Sequence, residues 1–92
     1  MNCDEAKKID IISFLAKNGI NPDYNQGVNY WYKSPLRDEN NPSFKVNSYK
    51  NLWFDFGIGE GGDIIKLISL LFKVDSSNAL KILSANHYSN HQ

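Results

Sequence analysis

Apolar positions between Asp4 and Asn18 recur at spacings of three and four: Ala6, Ile9, Ile12, Leu15 and Ala16, with Ile11 and Phe14 on the flanks. This is the stripe of a helix that buries one side. Asp4 can cap its start, and Gly19, with Pro22 beyond, can end it, so the pattern predicts a helix over 4–18. The polar segment Asn21 to Gly27 reads as a connection. From Val28 to Lys33 the run Tyr30-Trp31-Tyr32 has the aromatic enrichment of a strand, closed by Pro35. After the turn-like Arg37-Asp38-Glu39-Asn40-Asn41, Phe44 and Val46 alternate with polar neighbours, which predicts a second strand with one buried face. Asn47 to Asn51 reads as a hairpin turn and Leu52 to Phe56 as the third strand. The glycine-dense segment 57–63 reads as a loop without regular structure. Asp63 then precedes Ile64-Ile65-Lys66-Leu67-Ile68-Ser69-Leu70-Leu71-Phe72, apolar on most sides and hence a central helix. Asp75 or Ser76 caps a last helix carrying Ala79, Leu80, Ile82 and Leu83. Helices are thus expected over 64–84, with a patternless tail at 85–92.

The expected architecture is a single α+β domain: a small three-stranded antiparallel sheet over 28–56, one N-terminal helix and two C-terminal helices. Ninety-two residues suit one core of modest size. No apolar run approaches the roughly 18 residues of a membrane span, and the N-terminus lacks the apolar centre of a signal peptide, so a cytoplasmic location is expected. Ten basic residues balance ten acidic ones, so a nucleic-acid role needs a local patch rather than net charge. Cys3 is the only cysteine, which excludes an internal disulfide and a thiolate cluster.

The central stretch carries the motifs. It reads Ser34-Pro35-Leu36-Arg37-Asp38-Glu39-Asn40-Asn41-Pro42-Ser43-Phe44-Lys45-Val46, then Trp53-Phe54-Asp55-Phe56-Gly57-Ile58-Gly59-Glu60-Gly61-Gly62-Asp63-Ile64-Ile65. In these residues the chain resembles the N-terminal zinc-binding domain of bacterial, DnaG-like DNA primases and of related primases of phages, plasmids and mobile elements. Their pattern runs Cys-Pro-x-His-x-Glu-x-x-Pro-Ser-Phe-x-Val, then an aromatic residue and Cys-Phe-Gly-Cys-Gly-x-Gly-Gly-Asp-x-Ile. The likeness is in register without gaps inside either half and spans roughly residues 5 to 84. It implies a zinc-ribbon-like sheet that engages single-stranded template DNA in primer synthesis, for a chromosome or a mobile element. It also implies that polymerisation belongs to a separate TOPRIM-type domain, with a helicase or replication protein as a further partner.

At the four positions where the family places its zinc ligands, this chain has Ser34, Arg37, Asp55 and Ile58. Tetrahedral zinc takes thiolates and imidazoles, and neither Arg nor Ile can ligate it. The expectation is a ribbon without metal or other cofactor, in which Arg37 and Asp55 pair, Ser34 adds a hydrogen bond and Ile58 fills space. The stabilisation that zinc would give then falls to an aromatic core drawn from Trp31, Phe44, Trp53, Phe54 and Phe56.

Lys33, Arg37, Lys45 and Lys50, interleaved with Tyr30, Trp31, Tyr32, Tyr49 and Trp53, are the ingredients of a single-strand surface, where aromatics stack on bases and lysines follow phosphates. Tyr30, Tyr32 and Tyr49 are the expected outward aromatics. The bland reading makes the aromatics core and the lysines solubilising, and leaves a protein-interaction or structural module, which neutral net charge favours. Other motifs reduce to structure. Gly57-x-Gly59-x-x-Gly62 has dinucleotide-loop spacing, yet Glu60 and Asp63 would set negative charge against a pyrophosphate. His87 and His91 have helical metal spacing in a polar tail. No catalytic constellation is visible, and Asp38 and Glu39 are adjacent in a turn.

Overall fold

A computed structural model describes residues 2–38 and 40–88. The chain forms α1 (Cys3–Ala6), α2 (Ile11–Lys17), β1 (Tyr24–Gln26), β2 (Asn29–Lys33), β3 (Pro42–Asn47), β4 (Leu52–Asp55), β5 (Glu60–Gly62), α3 (Ile64–Phe72) and α4 (Ser76–Tyr88). The five strands lie in sequence order as an all-antiparallel meander. The α+β class and central three strands agree with the sequence expectation, and the sheet gains a strand at each edge.

Both extra strands arise where side-chain pattern carries no information. In β5 the residues are Glu60-Gly61-Gly62, yet their backbone pairs with β4 through Asp55↔Glu60, Phe54↔Gly61 and Trp53↔Gly62. The segment taken as irregular is therefore a turn at 57–59 followed by a strand. A Cβ on Gly61 would meet the Trp53 carbonyl oxygen at 2.5 Å and the Phe54 ring at 2.6 Å, so glycine is required for this close approach. At the other edge, the polar connection contains β1, which folds back on β2 through the two-residue turn Gly27-Val28, with Gly27 at φ 59°.

The single N-terminal helix is instead two. A capping box of Asn2 and Glu5 starts α1, and Asp10 caps α2 by accepting from the Ser13 N–H at 3.0 Å. The break between them is held from a distance. Asn51, at the β3–β4 turn with φ 55°, donates to the carbonyls of Lys7 (3.0 Å) and Ile9 (2.8 Å) and accepts from the Ile11 N–H (2.9 Å). With the helix interrupted, the buried stripe shifts to Ile11, Phe14 and Leu15, leaving Ile12 half-buried and Ala16 exposed.

The core lies between one face of the sheet and the helices. Tyr32, Phe44, Val46 and Trp53 from the sheet meet Ile11, Phe14, Leu15, Ile64, Leu67, Ile68, Ala79 and Leu83 from the helices. Phe44 stacks on Trp53 with centroids 5.4 Å apart, and Tyr32 meets Phe44 edge-on at 6.0 Å. Each such side chain contributes roughly 1.5–3 kcal/mol by leaving water. Asp63 caps α3 as expected, accepting from Lys66 N–H at 3.0 Å, while its carbonyl accepts from Trp53 Nε1 at 2.8 Å. This joins β4 to the start of the central helix. α4 continues to Tyr88, past the expected end at residue 84. His87 and His91 lie outside the described side chains. Among the described residues, no helix is long and apolar enough to cross a membrane.

Candidate functional site

Strand alternation sorts the sheet into two faces, and ladder register aligns them. Tyr30↔Val46↔Trp53 and Tyr32↔Phe44↔Asp55 run across the inner face. Between them, on the outer face, Tyr24↔Trp31↔Lys45↔Phe54 form one row spanning four strands. Phe56, just past β4, completes the row. Tyr24 and Trp31 stack with centroids 6.2 Å apart, Trp31 and Phe56 at 5.7 Å, and Phe54 meets Phe56 edge-on at 4.8 Å. Lys45 Nζ lies 5.6 Å from the Phe56 ring centre, a cation–π contact that places an ammonium inside the aromatic row. Tyr24, Phe54 and Phe56 are exposed and Trp31 is half-buried.

This face corrects the expected outward aromatics. Tyr32 is fully buried, and burial pushes its phenol up to about 12, with the charges of Asp10 and Tyr30 adding to the shift. Its hydroxyl has no hydrogen-bond partner among the described residues. Tyr30 is half-buried against the same core. Neither can stack on a base from the outer surface. Tyr49 is exposed, but it sits in the β3–β4 turn with Lys50, away from the row. Lys33 is exposed near β1 and pairs with Asp23 at 3.2 Å. Of the expected core aromatics, Phe44 and Trp53 are inside, whereas Phe54 and Phe56 are outside. The missed residues were available to reasoning: if Asp55 points inward, a period of two turns Phe54 and Phe56 outward.

Beneath one end of this face is a polar crosslink. Asp55 is completely buried. Its Oδ1 accepts from Arg37 Nη2 at 2.8 Å and from the Gly57 N–H at 2.8 Å, and its Oδ2 accepts from Ser34 Oγ–H at 2.6 Å. The same Arg37 nitrogen donates to Ser43 Oγ at 2.9 Å, and Ser34 Oγ accepts from Leu36 N–H at 3.1 Å. Burial alone would raise the Asp55 carboxyl. The hydrogen bonds from Arg37, Ser34 and Gly57, with the charge of Arg37, outweigh it and hold the group below the usual carboxylate range. The expected pairing of Arg37 with Asp55 and the Ser34 hydrogen bond are both present. Ile58, by contrast, does not fill this space: it is exposed on the turn.

Chemically the two parts differ. The crosslink is held by several short hydrogen bonds, and its donor set does not fit zinc: one carboxylate, two serine hydroxyls and a guanidinium supply neither thiolate nor imidazole. Among the described residues no group of three or more His, Cys, Asp or Glu could hold a metal. Glu39, which forms part of the motif, lies outside the described residues. The outer face is suited to flat π-systems and anions.

Comparison with known proteins agrees with this geometry. The CHC2 zinc finger profile, the zinc ribbon of DnaG, matches residues 4–92. The DNA primase of Treponema pallidum is 32 % identical over 74 residues, covering 80 % of this chain and 12 % of that protein. The DNA primase of Aquifex aeolicus is 36 % identical over 64 residues, covering 70 % of this chain and 12 % of the primase. A crystal structure of the zinc-binding and RNA polymerase domains of the Aquifex aeolicus primase superposes with a TM-score of 0.73 at 30 % identity, covering 90 % of this chain and 20 % of that one. The chain thus spans about an eighth of the length of the relatives it matches. By profile, sequence and fold together, it belongs to the CHC2 zinc finger family of DnaG-type primases.

Proposed function

We propose that this domain holds single-stranded template DNA for primer synthesis, as the DNA-engaging part of a primase-like protein of a chromosome or mobile element. The observation that supports this is the outer-face row of Tyr24, Trp31, Lys45 and Phe54, capped by Phe56. Stacked aromatics offer flat surfaces to unpaired bases, every base has a π-face to offer, and an ammonium within the row suits a phosphate. Lys33 is paired with Asp23 and Lys50 sits in the β3–β4 turn away from the row, so Lys45 is the cation this reading rests on. Arg37 is committed to Asp55 and Ser43, so it acts on the shape of the site rather than on DNA. Polymerisation is assigned to a TOPRIM-type domain elsewhere in the same protein or on another chain, with a helicase or replication protein as a further partner. This domain supplies no catalytic residue in that scheme.

The test is fluorescence anisotropy of labelled single-stranded oligonucleotides at low and moderate salt, with Trp31→Ala, Phe56→Ala and Lys45→Ala variants. Loss of one stacking ring should weaken binding roughly 5- to 150-fold, from about 1–3 kcal/mol per base. Affinity should fall steeply with salt, and less steeply for Lys45→Ala. Absence of binding at low salt refutes the proposal and leaves the competing reading, a protein-interaction or structural module.

A further inference from the structure

The structure assigns to Arg37, Asp55, Ser34 and Ser43 the crosslinking task that a zinc ion has in the CHC2 zinc finger family, so that this ribbon is held by a protein-only clasp. Ser34 and Arg37 lie on the loop that follows β2, Ser43 is on β3, and Asp55 ends β4. The bonds among them, 2.6 to 2.9 Å long, tie that loop to two strands. Charge is distributed as a metal site would need, with different groups. A guanidinium supplies the central positive charge and a buried carboxylate supplies the anion it faces.

The surrounding backbone fits this substitution. At Ser34 and at Asp55 alike, the N–H two residues further on turns back to the side chain, Leu36 to Ser34 Oγ and Gly57 to Asp55 Oδ1. Two matching turns thus face each other, each directing a donor at the side chain that takes part in the crosslink. A thiolate at either position would meet the same donor. The guanidinium passes so close to Gly57 that a Cβ there would collide with it, so the space between the turns is occupied by Arg37. A cation entering it would have to displace a positive charge and would meet one carboxylate without a thiol or imidazole. The only cysteine, Cys3, is exposed on α1 and outside the clasp. The consequence is a domain whose fold does not depend on metal supply and withstands chelators and thiol oxidants that would strip a zinc ribbon.

The experiment uses the 92-residue chain and a fourfold variant, S34C/R37H/D55C/I58C. The unsubstituted chain, expressed with added zinc, should carry no stoichiometric zinc by elemental analysis and should melt at the same temperature with and without EDTA. The fourfold variant should bind stoichiometric Co²⁺ with the visible absorption of a tetrahedral thiolate site, and its melting temperature should fall on adding EDTA. Stoichiometric zinc in the unsubstituted chain, with a melting temperature that drops when it is removed, overturns the proposal. A fourfold variant that binds no cobalt, folded or not, overturns the positional equivalence on which it rests.

Discussion

Replacing Arg37 by Met removes the cation from the clasp while keeping much of the stem's bulk. Asp55 is fully buried, and the Arg37 side chain is 25 % exposed, so the pair sits nearer the interior limit than the surface one. Breaking a buried pair by deleting one partner costs roughly 3–5 kcal/mol, because the other charge is left uncompensated. The donors retained from Ser34 and Gly57, and the partial exposure of Arg37, lower that figure to about 2–4 kcal/mol. A 92-residue domain is typically stable by about 5–14 kcal/mol, so Arg37→Met should remove a large fraction of the total. The melting temperature should fall by roughly 8–30 °C. Adding Asp55→Asn to Arg37→Met should recover part of the loss, since no buried charge then remains. The pH dependence has a definite sign. With its folded pKa lowered, Asp55 contributes stability that is complete above the unfolded value of about 3.9 and is lost as pH falls through the folded value. Without Arg37 the chief lowering partner is gone, and burial then favours the protonated acid. The deficit of Arg37→Met should therefore be greatest at neutral pH and shrink in acid. Urea unfolding monitored by Trp fluorescence across this range measures it. A deficit below about 1 kcal/mol at neutral pH, the range of an exposed pair, would refute the reasoning, as would a deficit that does not change with pH.

Other expectations follow from single residues. Asn51→Ala removes all three hydrogen bonds that hold the α1–α2 break and places alanine at φ 55°; it should cost about 2–4 kcal/mol, read as a shift in the urea midpoint. Gly61→Ala drives a methyl into the Trp53 carbonyl and the Phe54 ring and should cost about 1–3 kcal/mol by the same assay, while also weakening oligonucleotide binding because Phe54 is displaced. Tyr32→Phe deletes a buried hydroxyl that has no partner among the described residues; it should be neutral or stabilising and leave DNA affinity unchanged, an outcome opposite to that of a surface stacking residue.

Some of this was readable from one chain because it is local. Phe44 and Val46 alternate with polar neighbours, so their strand and its inner face follow from a period of two. Asp63 stands immediately before an apolar run, so a capped central helix follows. The positions of Ser34, Arg37 and Asp55 in the primase-like motif were enough to bring the opposite charges together. The outward face of Tyr30-Trp31-Tyr32 was not readable, because three consecutive aromatics fit either parity and only pairing with β3 selects one.

The α+β class, the three central strands, the capped helix α3 and the convergence of Ser34, Arg37 and Asp55 all follow from the order of residues along the chain. Each depends on residue type at fixed short spacing or on a motif in register. Tertiary structure alone decided the rest. β1 and β5 exist because backbone groups at the sheet edges found partners, which no hydrophobic period records. The break in the N-terminal helix exists because Asn51, more than 40 residues away, satisfies carbonyls that a continuous helix would have used itself. The aromatic row exists because register places Tyr24, Trp31, Lys45 and Phe54 side by side from four strands, and register belongs to pairs of strands rather than to any one of them.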